Sequence, residues 1–345
     1  KNFHLNSLKY MKLIIPMAGR GTRVRPHSHT VPKPLLPVAG KMIVERIVET
    51  FARTLDRKID EIVFILGPDF GQEIKGALKA MSERHDAKAS FRVQETAEGT
   101  AHAVYSAEQD LNGECIIVFA DTIFDMDGSV SIENADSVVW LKDVEDPSRF
   151  GVAVEKDGEI TDFVEKPDEP ISNQAIIGVY YFKEAARLKE EIEYLLENNV
   201  RGKGGEFQLT DALDRLLKGD NVFKKAAVDE WMDCGTLPAW LETSGKIVEK
   251  EYSAVDAEQF DDTKIIPPVY IGDDVTLENC TIGPHASIAE GATLKKCTVK
   301  NSLIQENASL EDCRIVNSTI GRYAELRDVE QEVHLGDHSK VGTKV

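Results

Sequence analysis

The chain lacks most of what would mark a membrane, extracellular or nucleic-acid-coating protein. No apolar run approaches the roughly 18 to 20 residues needed to span a bilayer, so no membrane partner is expected. Five cysteines are scattered over 345 residues without a CxxC pair, which suits the reduced thiols of a cytoplasmic protein. Positive charge is in deficit: 41 Lys and Arg face 60 Asp and Glu, a net charge of -19, which argues against a nucleic acid partner. Residues 1–10 have neither a long apolar core nor a small-residue cleavage site, so no signal peptide is expected and Met11 reads as the natural start after an extension. A Walker A string, GxxxxGK[ST], is absent around the glycine-rich loop, and GRGTRV lacks the third glycine of a dinucleotide fingerprint.

What is present begins with Met11 to Ile43, MKLIIPMAGRGTRVRPHSHTVPKPLLPVAGKMI. Leu13, Ile14 and Ile15 form a continuous apolar run, as in a parallel strand covered on both faces. Gly19 and Gly21 can take φ > 0 and bring backbone N–H groups close to a polyphosphate. Arg20, Arg23, Arg25 and Lys33 add fixed positive charge, which acts locally whatever the total, and Pro32 and Pro34 stiffen the chain on either side of Lys33.

Up to about residue 235 strand-like and helix-like segments alternate, predicting an α/β domain with a mostly parallel, mixed Rossmann-like sheet. Helical periods run over 42–55 and 72–81, strands over 61–66, 90–94 and 115–120, and a short helix over 100–111. Gly19, Gly67 and Asp121 fall at the carboxyl ends of strands, the edge where open α/β sheets bind ligands. From Ile265 the pattern changes. Aliphatics recur every five or six residues, as at Leu277, Ile282, Ile288 and Leu294, each preceded two positions earlier by a small or β-branched residue. That period predicts a short parallel β-helix of hexapeptide-like repeats. Cys280, Cys297 and Cys313 fall in one column of it, as packing residues rather than a metal or redox site. The expected organisation is an extension over 1–10, an α/β domain over 11–236, a helical connector over 237–263 and the β-helix with its tail over 264–345.

The combined string GxGTRxRP and PKPLLPVAGK resembles the signature of the sugar-1-phosphate nucleotidyltransferases, and four further motifs extend the resemblance over most of the chain. These are QETAEGTAHA from Gln94, VFAD ending at Asp121, FVEKP from Phe163, and WMDCGT from Trp231. The resemblance implies that the β-helix is left-handed and that Met17, Ala18, Gly19, Gly21, Thr22, Gln94, Gly99 and Thr100 bind the nucleotide. A glutamine amide suits that task, accepting from a pyrimidine N3–H while donating to O4. It also implies that Gly151, Glu165, Lys166 and Gly178 bind the sugar phosphate, that Arg23 and Lys33 carry the chemistry, and that Asp121 and Asp233 hold Mg²⁺. The chain departs from many relatives in having Thr122 in place of an acid or amide. GEFQLTDAL, from Gly205, looks like a family helix start with no catalytic role.

The implied reaction joins a nucleoside triphosphate, dTTP or UTP, to a sugar-1-phosphate, glucose-1-phosphate or an N-acetylhexosamine-1-phosphate, with release of pyrophosphate. GTP with mannose-1-phosphate is the alternative, because glutamine can also pair with guanine. A non-catalytic regulatory subunit is the other reading, against which stand the intact Arg23, Lys33, Asp121 and Asp233. An added acyltransferase activity fits poorly, since the repeat allows only roughly four coils. The flat faces of the β-helix suit a homo-oligomer.

Overall fold

The computed structural model describes residues 10–19, 21–126, 132, 135–252, 260 and 262–342. Arg20, expected in the phosphate loop, lies outside the described residues, as do 1–9 of the expected extension. Contacts divide the chain into two compact units. The first comprises Lys1–Gly19, Ile47–Ala120 and Phe124–Trp231; the second comprises Arg20–Arg46, Asp121–Ile123 and Met232–Val345.

The first unit is built on β1 (Lys12–Pro16), β2 (Glu61–Leu66), β3 (Lys88–Val93), β4 (Cys115–Val118), β5 (Ser137–Asp143), β6 (Gly151–Lys156), β7 (Glu159–Glu165), β8 (Gln174–Phe182) and β9 (Phe223–Ala227). Their order along the sheet is β7-β6-β8-β4-β1-β2-β3, with β5 bridging β8 and β9. The stretch β4-β1-β2-β3 is parallel, and its central strands are apolar throughout because both faces are covered. From β8 outward the main path is antiparallel, so the sheet is mixed. Helix α1 (Ile43–Thr54) follows the loop, and α2 (Gln72–Arg84), α3 (Thr100–Tyr105), α4 (Ala185–Glu197) and α5 (Leu209–Lys218) connect strands. Leu209, Ala212, Leu213 and Leu216 of α5 recur at helical spacing and are buried in the same core as Leu188, Ile192 and Leu195 of α4.

In the second unit, helix α6 (Leu237–Glu251) starts at Thr236, whose hydroxyl caps the Ala239 N–H at 3.3 Å. The strands beyond it form three parallel sheets of four, five and five short strands, consistent with the left-handed β-helix expected from the repeat. Successive coils stack like on like: Leu277 pairs with Leu294, Leu294 with Leu310, and Leu310 with Leu326. Their side chains fill the bore with Ile282, Val299 and Ile315, and the cysteine column is buried in the same core.

Candidate active site

In the second unit the loop begins at Gly21, whose φ of +56° an L-residue adopts only under strain. A Cβ there would stand 2.9 Å from the Lys33 Cβ, so the two ends of the loop close on each other at this glycine. Thr22 and Arg23, both exposed, lie in a single helical turn, and Lys33 opens another between the buried rings of Pro32 and Pro34. Lys33 Nζ is 3.9 Å from Asp121 Oδ2; the lysine side chain is 12% exposed and that of the aspartate 53%, so a confined cation faces an accessible carboxylate.

The Asp121 carbonyl accepts from the Cys234 N–H at 3.3 Å, which brings the strand-end acid beside the WMDCGT segment. Asp233 Oδ1 accepts from the Gly235 N–H at 2.6 Å, and its carbonyl accepts from the Thr243 hydroxyl of α6, also at 2.6 Å. A Cβ on Gly235 would stand 2.8 Å from Asp233 Oδ1 and 3.3 Å from Arg23 Nη2. The Arg23 guanidinium and the Asp233 carboxylate therefore converge on one glycine. Two cations and two acids expected from the motifs are brought together within this unit. The two carboxylates are exposed and offer hard oxygen donors only, a set that fits Mg²⁺. The intervening Cys234 is no nucleophile: burial pushes its thiol up to about 12.

In the first unit Met17 and Ala18 leave the end of β1; the Met17 N–H donates to Ile65 O at 2.9 Å, and Gly67 packs against the Ala18 carbonyl. Gly19 ends that segment. Gln94, 8% exposed, continues β3, and its side chain meets His102 Nδ1 at 3.3 Å. Gly99 takes φ +124°, and a Cβ there would fall 2.4 Å from the Phe207 carbonyl oxygen. That close approach is fixed by backbone exchange: Phe207 N–H donates to Glu98 O at 2.8 Å and Ala101 N–H to Phe207 O at 2.9 Å. Thr100 is committed to α5, accepting from the Leu209 N–H at 2.8 Å and donating to Gln208 Oε1 at 3.2 Å. Its hydroxyl thus ties the turn at Gly99 to the start of α5.

The FVEKP motif ends β7. Glu165 Oε2 accepts from the Thr210 hydroxyl at 2.7 Å, while its Oε1 lies 3.5 Å from Lys166 Nζ. Gly151 opens β6 directly against this pair, and Gly178 sits in the irregular stretch of β8 beside Phe119. Glu165 and Lys166 line a cavity of about 410 Å³ together with Asp168, Lys203 and Asp211. Burial, then the Glu165 and Asp214 charges, push the Asp211 carboxyl up. The motif reading left Gly235 and His102 without roles and gave Thr210 only that of capping or ordering its helix. Each stands inside a motif string or a family-like helix start, yet only the fold shows what it touches.

Residues 12–250 match the nucleotidyl transferase family, and the chain belongs to that family. It is 29% identical over 321 residues to the low-salt glycan biosynthesis nucleotidyltransferase Agl11 of Haloferax volcanii, covering 85% of this chain and 87% of that protein. It is 32% identical over 228 residues to the bifunctional protein GlmU of Methanococcus aeolicus, and the match takes in 65% of this chain but 51% of that one, about half its length. A UDP-glucose pyrophosphorylase solved with UDP-glucose superposes with a TM-score of 0.57 at 26% identity, over 70% of this chain and 100% of that one. The protein is an enzyme of the nucleotidyltransferase class that the motifs had suggested.

Proposed function

We propose that the protein transfers a nucleotidyl group from UTP or dTTP to glucose-1-phosphate or an N-acetylhexosamine-1-phosphate, in a Mg²⁺-dependent reaction releasing pyrophosphate. The observation that carries this reading is the gathering of Arg23, Lys33, Asp121 and Asp233. The attacking sugar-phosphate oxygen is already anionic at neutral pH, so alignment and charge neutralisation matter more than a general base. Arg23 offers the departing pyrophosphate a fork of donors, and Lys33 is a compact charge for the α-phosphate. Bound at Asp121 and Asp233, Mg²⁺ would supply further neutralisation of the triphosphate. Gln94 would read the base, Gly99 would allow its close approach, and Glu165 and Lys166 would take the sugar hydroxyls and phosphate. UDP-glucose in the structural neighbour supports a pyrimidine nucleotide and a glucose-type sugar.

The test is pyrophosphate release with Mg²⁺ across five nucleoside triphosphates and several sugar-1-phosphates. Release that needs both substrates supports the reading and identifies the pair, and Arg23→Ala and Asp121→Ala should each lower kcat by roughly 10² to 10³. Silence across the grid with nucleotide still bound would move the protein to a regulatory subunit. The same preparation tests the proposed homo-oligomer, which a monomeric mass at micromolar concentration would contradict.

A further inference from the structure

Between Arg23 and Lys33 the loop carries a histidine that is not available to any substrate. His27 is 1% exposed and lies in the one-turn helix His27–His29. Its Nδ1 is 2.9 Å from Gln305 Nε2 and its Nε2 is 2.8 Å from Thr319 Oγ1, both on the β-helix, while its ring meets the Trp240 ring edge-on at 5.1 Å. Gln305 and Thr319 are 3% and 0% exposed, so both are shielded from bulk solvent. Thr319 Oγ1 is also 2.9 Å from His334 Nδ1, and His334 Nε2 faces Glu332 Oε1 at 3.5 Å.

With the Gln305 amide so oriented, the direction of the two bonds to His27 follows. The Gln305 N–H donates to His27 Nδ1, which makes His27 the neutral Nε2–H tautomer. That N–H donates to Thr319 Oγ1, which leaves the single Thr319 hydroxyl hydrogen free for His334 Nδ1. In this arrangement every donor has one acceptor, and Thr319 Oγ1, with two lone pairs, accepts from His27 whichever way its own hydrogen points. An apolar residue could fill the same space, but it would not select the ring orientation or the coil of the β-helix against which the loop rests.

The position of His27 reaches the phosphate-binding side chains in two short steps. Ser28, the next residue, donates its hydroxyl to Gly21 O at 2.7 Å, and Gly21 is the residue closed against Lys33. A second tether lies three residues on, where the Thr30 hydroxyl donates to Asp337 Oδ2 at 2.8 Å.

We propose that His27 is a positioning residue through which the β-helix sets the geometry of the loop carrying Arg23 and Lys33, so that the repeat domain is a working part of the triphosphate site. The proposal rests on reading that loop as the triphosphate site. The decisive variants are in the β-helix, 292 residues from His27. Thr319→Val keeps shape and removes the hydroxyl, whereas Thr319→Ser keeps the hydroxyl. Thr319→Val and His27→Phe should each lower kcat/KM for the nucleotide by at least about tenfold, with the sugar-phosphate KM within twofold of wild type. Thr319→Ser should stay near wild type, and the double variant should be no worse than His27→Phe alone. Amide hydrogen exchange over residues 21–36 should speed up in Thr319→Val and not in Thr319→Ser, a readout independent of turnover. Unchanged exchange in Thr319→Val, or equal losses for both substrates in proportion to lost active protein, overturns the proposal. A silent wild type with exchange altered as expected would instead remove the transferase reading and leave the pin standing.

Discussion

The Thr210 hydroxyl donates to Glu165 Oε2 across 2.7 Å, tying the start of α5 to the end of β7. Thr210 is 5% exposed and the Glu165 side chain 15%, so this is a sheltered bond to a carboxylate, of the kind typically worth about 1.5–3 kcal/mol. Its loss would free the carboxylate to swing toward Lys166 or into the adjoining cavity. Thr210→Val should raise the sugar-phosphate KM by roughly 10- to 100-fold, with the nucleotide KM little changed, and Thr210→Ser should recover most of it. Steady-state kinetics with each substrate varied in turn check this; equal losses on both sides would place Thr210 in general packing instead.

Gly235 separates Arg23 from Asp233 by being small. An alanine methyl at 2.8 Å from the carboxylate oxygen forces Asp233 to shift, and at 3.3 Å it crowds the Arg23 guanidinium. Gly235→Ala should therefore fold normally, lose kcat by at least about tenfold, and need more Mg²⁺ for half-maximal activity. A Mg²⁺ titration of the variant decides the point, since an unchanged metal requirement would separate Gly235 from the acids.

Gly99 makes a harsher demand. Its φ of +124° disfavours any side chain, and a Cβ would collide with the Phe207 backbone, which has no rotamer to yield. Gly99→Ala should cost on the order of 1–3 kcal/mol of stability and pull the 99–101 turn off the segment that opens α5. Thermal unfolding reports the first effect and loss of nucleotide affinity the second. A variant with wild-type stability and affinity would mean that the turn relaxes freely.

Local pattern was enough for the elements and not for their meeting points. The strand Glu61–Leu66, apolar from Ile62 on, and the helix Leu237–Glu251 were readable because burial on both faces and helical periodicity are written in adjacent residues. The β-helix was legible because a repeat states its own register. The antiparallel half of the sheet was harder to see. Its signal was the Asp157-Gly158 pair, both at positive φ, which turns β6 back into β7. Lys33 and Asp121 stood out by charge and by place at a strand end, their roles and Asp233 came from resemblance, and the fold brings the three together. His27 could not be read, because a histidine in a polar loop has no period and its partners Gln305 and Thr319 lie in coils whose facing side only the fold determines.

That buried histidine makes stability depend on pH in a defined window. Burial first of all, with the neighbouring His334, lowers the His27 pKa from 6.5 to about 4, against an opposing pull from Asp337. Between those values the unfolded chain binds a proton at this position that the folded one excludes, so its contribution to stability falls as pH drops from 6.5 and levels off below about 4. The shift corresponds to a loss on the order of 3 kcal/mol at the acid end. His27→Phe has no such proton to exclude. The variant starts less stable at pH 7 because Gln305 and Thr319 lose their partner, and the gap to wild type should narrow as the pH approaches 4. Urea midpoints of the two proteins at pH 7, 5.5 and 4 measure that gap; parallel curves would show that His27 takes up its proton in the fold at no cost.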